Sequence, residues 1–218
     1  MTKYINSFDQ VYDVFEKLDK KLNKNMNIYL IGGTVLLYNN LKVGTKDIDI
    51  VILEKGDFDL FNNFLLKSEF IIEKPTKDYI HMKLDQILVK ENYRIDVFNK
   101  LVCGKLSLSE NMIKRAKLIK NYKNINLFVC SNEDVFVFKS ITERDGDVDD
   151  CQSISLSGPN WNVIFDEIKY QIKENGSDVW ITWFEERLNL LEDRGIVIPI
   201  IKDIRIMSKE YFDNLEKY

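Results

Sequence analysis

Residues 45 to 53 read Thr-Lys-Asp-Ile-Asp-Ile-Val-Ile-Leu, and this alternation constrains the chain more than any other stretch. Successive side chains of a strand point to opposite faces, so Ile48, Ile50 and Ile52 share one face while Asp47 and Asp49 share the other. Such a strand needs an apolar layer against its isoleucines. It also needs a partner for its carboxylates, because ionised groups are costly to bury unpaired. A later stretch, Tyr93-Arg94-Ile95-Asp96-Val97-Phe98, reads as a strand that adds a third carboxylate, Asp96, among apolar neighbours. Upstream, Ile28-Tyr29-Leu30-Ile31 is a continuous apolar run closed by Gly32-Gly33, the pattern of a buried strand breaking at a tight turn, with a short helix resuming from Thr34 to Asn40.

Around these strands the periodicity predicts an amphipathic helix over about 7 to 23, carried by Phe8, Val11, Tyr12, Phe15, Leu18 and Leu22, and a Phe- and Leu-rich helix at about 57 to 67. Strand-like stretches follow near 69 to 73, 79 to 84 and 86 to 90. Ser109 is placed to cap a helix running through Lys120, and 125 to 130 reads as a strand. Ser131-Asn-Glu-Asp134 resembles a capping box that opens a helix through about 142. Helical spacing then recurs at 161 to 174 and 178 to 193, separated by Gly176-Ser177, and only Ile196 to Ile201, with Pro199, interrupts it. Strands up to about residue 130 followed by helices predict an α+β fold, with a core over 1–130 and a mainly helical C-terminal lobe over 131–218. At 45% hydrophobic residues with only three prolines and nine glycines, the chain has the composition of a folded protein and not of a linker.

Composition also narrows the chemistry. A net charge of −4 argues against a surface that tracks nucleic acid throughout, so any polyanion site is local. Cys103, Cys130 and Cys151 are odd in number and widely spaced, which suits small core side chains better than disulfides or a zinc motif. His81 is the only histidine, so a His-ligated metal cluster is excluded and His81 is read as structural. The first residues lack the apolar region of a signal peptide and no run approaches a membrane span, so a cytoplasmic protein without a membrane partner is expected. What remains is carboxylate chemistry. Phosphoryl and nucleotidyl transfer need a triphosphate's charge neutralised and an oxygen nucleophile aligned, and carboxylates holding divalent cations are the parts that do this. Glycines at the end of a strand let backbone N–H groups approach phosphate oxygens.

Gly32-Gly33, thirteen intervening residues, Asp47-Ile48-Asp49-Ile50 and the distal Arg94-Ile95-Asp96-Val97-Phe98 together resemble the signature of the nucleotidyltransferase superfamily that includes DNA polymerase beta. The Gly-Gly-Thr and Thr-Lys-Asp-Ile-Asp runs are most similar to the minimal prokaryotic members, among them toxin components of abortive-infection type toxin/antitoxin systems. The resemblance covers residues about 27 to 150 and implies a nucleotidyltransferase-type mixed sheet flanked by helices. It implies that Asp47 and Asp49 bind catalytic Mg²⁺, or Mn²⁺ in its place. Asp96 would complete the metal site and assist deprotonation of the acceptor, while Gly32, Gly33 and Thr34 would hold the triphosphate. Gly33 stands where the family usually has a serine, so a hydroxyl contact there falls to Thr34.

The run from Phe138 to Asp150 looks similar to a later family helix. That makes Lys139 the expected phosphate ligand and Asp150 the distal carboxylate, with the register among Asp145, Asp147, Asp149 and Asp150 left open. Read from the residues alone, Lys139 equally pairs with Glu143 four positions on, and the five carboxylates in eight residues from Glu143 to Asp150 form a solvated helix end broken at Gly146. The run Lys114, Arg115, Lys117, Lys120 and Lys123 reads as a solvated helix face, with a nucleotide or an RNA backbone as its functional alternative. Trp161, Trp180 and Trp183 read as core. The expected activity is transfer of an NMP from a nucleoside triphosphate to a hydroxyl, on tRNA or protein in the toxin-like branch, where a cognate antitoxin would be the partner, or on a small molecule. The competing expectation is a regulatory or antitoxin-like binding protein that keeps the fold without catalysis.

Overall fold

The computed structural model describes residues 4–74, 86–91, 93–142, 144–175 and 178–215. His81 and the strand expected at 79 to 84 lie outside them. The chain divides into two compact units, Met1–Ser131 and Asn132–Tyr218. Among the described residues no helix is long and apolar enough to cross a membrane.

The first unit is built on a mixed sheet of seven strands in the order β3-β4-β5-β2-β1-β9-β8. At its centre lie β1 (Met26–Leu30), β2 (Ile48–Ile52) and β5 (Tyr93–Asn99). β2 runs antiparallel to β1 and parallel to β5, and β1 runs parallel to β9 (Ile125–Val129). The edges are finished by antiparallel neighbours, β4 (Gln86–Lys90) and β3 (Ile71–Ile72) on one side and β8 (Lys117–Asn121) on the other. Two short strands, β6 (Leu101–Val102) and β7 (Leu106–Ser107), form a separate ribbon. Ile28, Leu30, Ile48, Ile50 and Ile95 are wholly buried, each worth about 1.5–3 kcal/mol of apolar transfer, and this core fixes the register of the central strands.

Three helices complete the topology around β2: α1 (Phe8–Asp19), α2 (Gly32–Tyr38) and α3 (Lys55–Lys67). Ser7 and Gln10 close the first with a reciprocal capping box. Helix α1 stops at Asp19 rather than continuing to residue 23. There the buried Asp19 carboxylate accepts from the backbone N–H groups of Lys123, Asn124 and Ile125, which ties the helix end to the start of β9.

Other boundaries also differ from the sequence expectation. The helix capped by Ser109 is only α4 (Glu110–Arg115). Ala116 turns extended, and Lys117–Asn121 pair with β9 as the exposed edge strand β8. The basic run is therefore split between a short helix and an edge strand, where lysines discourage further strand pairing. Strand β2 starts at Ile48, leaving Thr45 in an isolated bridge to Ile5 and Asp47 in the approach to the strand. Helix α2 already includes Gly32 and Gly33, and β3 covers only two residues of the stretch near 69 to 73.

The second unit holds five helices among its described residues: α5 (Asn132–Ser140), α6 (Asp145–Leu156), α7 (Trp161–Asn175), α8 (Trp180–Asp193) and α9 (Ile201–Leu215). Phe136, Ile154, Ile164, Ile168, Phe184 and Leu188 are fully buried in its core, and Trp161 packs edge-on against Phe136. The architecture is the α+β arrangement with a mixed sheet, flanking helices and C-terminal helices that the pattern of elements predicts.

Candidate active site

The parallel pairing of β2 with β5 sets Asp49 directly beside Asp96. Asp47, one residue before β2, completes the group, and one carboxylate oxygen from each of the three lies within 4.8 Å of the others. Asp96 is buried, while Asp47 and Asp49 are half-buried. Two hydroxyls hold the approach to β2: those of Thr34 and Thr45 both donate to the carbonyl oxygen of Asp47, each at 3.2 Å, and the Thr45 hydroxyl also lies 3.3 Å from Asp47 Oδ1. Asp49 is tied to the opposite side, its carbonyl accepting from the Ile31 N–H at 3.0 Å.

Gly32 and Gly33 earn their place through this packing. Gly32 stands at φ +62, and a Cβ built on it would lie 2.2 Å from Asp49 Oδ2. One on Gly33 would lie 2.6 Å from the Thr45 hydroxyl. The glycines let the start of α2 press against the carboxylate-bearing strand, a reason distinct from the phosphate approach expected from the sequence. Thr34 is fully buried with its hydroxyl turned to Asp47, so it braces the loop.

The three carboxylates suit a divalent ion. The donors are all hard oxygens, and ligands about 2.1 Å from Mg²⁺ sit about 3–4 Å apart, close to the observed convergence. Sequence reasoning gave no role to Arg94 or Thr45. Arg94 forks onto Asp96, and the signal was available, since residues two apart on a strand share a face.

The remaining expected residue, Lys139, lies in the second unit on α5. It is buried and its ammonium pairs with Asp147 and, at 2.8 Å, with Asp150. Asp147 also accepts from Arg144, through Nε at 2.8 Å and Nη2 at 3.0 Å, and from the Thr142 hydroxyl at 2.6 Å. Burial alone would push the Lys139 ammonium down, but the adjacent Asp147 and Asp150 carboxylates outweigh it and hold the group above the usual lysine range. Burial likewise works against the Asp147 carboxylate, yet Lys139 and Arg144 hold it well below the usual carboxylate range. The acidic run is thus not a solvated end. Helix α6 runs through Gly146, with Asp147 and Asp150 turned inward and Asp145 and Asp149 exposed. Glu143 lies outside the described residues.

Comparison with known proteins gives the class to which this seven-stranded mixed sheet, with three aspartates beside a glycine-opened helix, belongs. Residues 8–187 match the family described as a nucleotidyltransferase of unknown function, DUF6036, and the chain belongs to that family. It is a transferase of the nucleotidyltransferase superfamily. No curated protein matches it by sequence. Among solved structures it is similar to ANT(2″)-Ia in complex with adenylyl-2″-tobramycin, with a TM-score of 0.50 and 9% sequence identity, over 77% of this chain and 98% of that one. That likeness is one of fold.

Proposed function

We propose that Asp47, Asp49 and Asp96 form a divalent-metal site at which the chain transfers an NMP from a nucleoside triphosphate to a hydroxyl acceptor. The observation that carries the reading is the convergence of three carboxylate oxygens within 4.8 Å, on neighbouring strands and beside glycines that make room for them. Bound there, Mg²⁺ or Mn²⁺ supplies Lewis-acid charge that offsets the triphosphate and eases ionisation of the acceptor hydroxyl. The protein's own part is positional. Thr34 and Thr45 fix the backbone of Asp47, the Ile31 amide fixes that of Asp49, and the β2–β5 register fixes Asp96. The backbone of Gly32, Gly33 and Thr34 is assigned to the triphosphate on the strength of the family signature. Lys139 has its ammonium committed to two carboxylates, which supports a structural role more than a phosphate contact.

For the acceptor, the toxin-like signature favours a hydroxyl on tRNA or protein, with a cognate antitoxin as partner. The small-molecule reading is supported at the level of fold by the likeness to ANT(2″)-Ia, whose structure was solved with adenylyl-2″-tobramycin. Incubation with each labelled nucleoside triphosphate, Mg²⁺, and in turn total tRNA, cell protein and a set of polyhydroxylated small molecules separates these readings. Label transferred by the wild type and lost in Asp47→Ala and Asp49→Ala supports the proposal and names nucleotide and acceptor. Absence of transfer together with absence of metal-dependent nucleotide binding overturns it in favour of a binding protein that keeps the fold.

A further inference from the structure

Trp183, Glu186, Arg187 and Leu190 follow one another at three and four residues along α8, which puts them on one face of that helix. Together they form one wall of a cavity of about 260 Å³, whose other walls are the end of α5 and the first turn of α6. Every described wall residue belongs to the second unit. In this wall Arg187 is out of balance. Only 4% of it is exposed; its Nη2 donates to the carbonyl oxygen of Thr142, and its Nη1 is buried without an acceptor among the described residues. A guanidinium has five donors and a permanent charge, and a carbonyl answers one donor and none of the charge. Lys139, also buried in this unit, is by contrast held by two carboxylates. Buried donors in folded proteins are nearly always paired, so an unpaired one in a cavity wall points to an acceptor that comes from outside the chain.

The remaining walls say what kind of molecule carries that acceptor. Asp145 and Glu186 line the same cavity and are exposed, so the negative groups face water while the positive one is buried. A simple anion gains from Arg187 and loses to these two carboxylates, whereas a ligand with one anionic and one cationic end is matched to both. Trp183, Val148 and Leu190 add apolar surface for the body of such a ligand. The volume lies below the range of about 300–1,000 Å³ usual for drug-sized ligands, which suits a small metabolite. We propose that this cavity binds a small zwitterion of the α-amino-acid class, its carboxylate seated on Arg187 and its ammonium facing Glu186 and Asp145. The carboxylate accepts a charge-assisted hydrogen bond from Nη1, while the bond from Nη2 to Thr142 holds the guanidinium in place. The proposal stands on the second unit alone and does not depend on the metal reading.

The test screens the full chain by thermal melting against the common amino acids, then measures affinities by calorimetry for the best of them, for the matched carboxylate without its amino group, for the matched amine without its carboxylate, and for inorganic phosphate. At least one amino acid should raise the melting temperature and bind more tightly than all three comparison compounds. In Arg187→Met that affinity should fall about 10²-fold, because the buried anchor for the carboxylate is gone. Without ligand the same variant should melt no lower than the wild type, since an unanswered buried charge has been removed. Asp145→Asn combined with Glu186→Gln alters exposed side chains only, and so decides the matter even if Arg187→Met does not fold. It should weaken the amino acid about tenfold at low ionic strength and leave the matched carboxylate bound as well as before or better. The proposal is overturned if no amino acid binds, if Arg187→Met keeps the wild-type affinity, or if the double variant still prefers the amino acid to its matched carboxylate. Phosphate binding as tightly as the best amino acid would overturn it too, reducing the cavity to a site for any anion.

Discussion

Each unit of this protein gathers aspartates near a buried or half-buried cation, and the two clusters are built differently. In the second unit Asp147 and Asp150 face Lys139, with Arg144 and the Thr142 hydroxyl completing the shell of Asp147, so acid and base match. In the first unit Asp47, Asp49 and Asp96 crowd together, and the Arg94 guanidinium forks onto Asp96. A matched cluster holds a fold together, since losing one member strands a buried charge. Three carboxylates brought within 4.8 Å of one another gain from a divalent cation between them, which is the property the proposed metal site requires.

The largest effect should come from breaking the acid-rich cluster. Asp49→Asn removes a ligand and a repelling charge at once, so nucleotidyl transfer should fall by about 10²-fold or more while the melting temperature in chelator holds or rises. A variant that lost activity by unfolding would show the opposite change in melting. The matched cluster should respond in the reverse sense. Lys139→Met leaves Asp147 and Asp150 facing each other in a buried site and should cost about 3–5 kcal/mol in denaturant unfolding, with no recovery on adding Mg²⁺. Recovery by Mg²⁺ would show that the second cluster also takes a metal, and the contrast between the units would disappear.

A smaller effect tests the packing that shapes the first cluster. In Gly32→Ala the new methyl would lie 2.2 Å from Asp49 Oδ2 on a backbone at φ +62. The strain should cost about 1–2 kcal/mol of stability. Asp49, the movable party, should swing away and weaken Mn²⁺ binding about tenfold, equivalent to about 1.4 kcal/mol. Unchanged Mn²⁺ affinity with lowered stability would mean that Gly32 serves the turn alone.

How much of this was legible follows from what kind of interaction carries each feature. The central strands were readable because Ile48, Ile50, Ile52, Ile95 and Val97 repeat with a period of two and are buried, so local pattern and tertiary packing agree. The strand on 117–121 was not, since its lysines and Leu118 are exposed on a sheet edge and its identity comes from pairing with β9, which no local window contains. The three aspartates could be singled out by order and spacing. Their meeting depends on the parallel register of β2 and β5, and neither strand states that register alone. Likewise the acidic run looked solvated because burial of Asp147 and Asp150 depends on Lys139 one helix earlier.

The smallest effect expected at ordinary pH belongs to the matched cluster, and its absence is informative. A carboxylate held below its unfolded pKa contributes stability that is fully present above the unfolded value and is lost as pH falls through the folded one. For Asp147 the unfolded value is near 3.8 and the folded value lies well below it, so its contribution should begin to decline only below about pH 4. Lys139 has the opposite sign. Raised above its ordinary value of 10.5, it contributes stability that is complete below that value and is lost only as pH rises past the lysine range. Between about pH 5 and pH 10 the cluster should therefore add no slope to the stability of the second unit. Denaturant unfolding of wild type and Asp147→Asn across that window should give two parallel curves, which converge below about pH 4 as the wild type loses what the variant never had. Curves that cross near neutral pH would mean that the Lys139 ammonium or the Asp147 carboxylate exchanges its proton there, and a cluster that titrates near neutrality would be poised for chemistry and not only for holding two helices together.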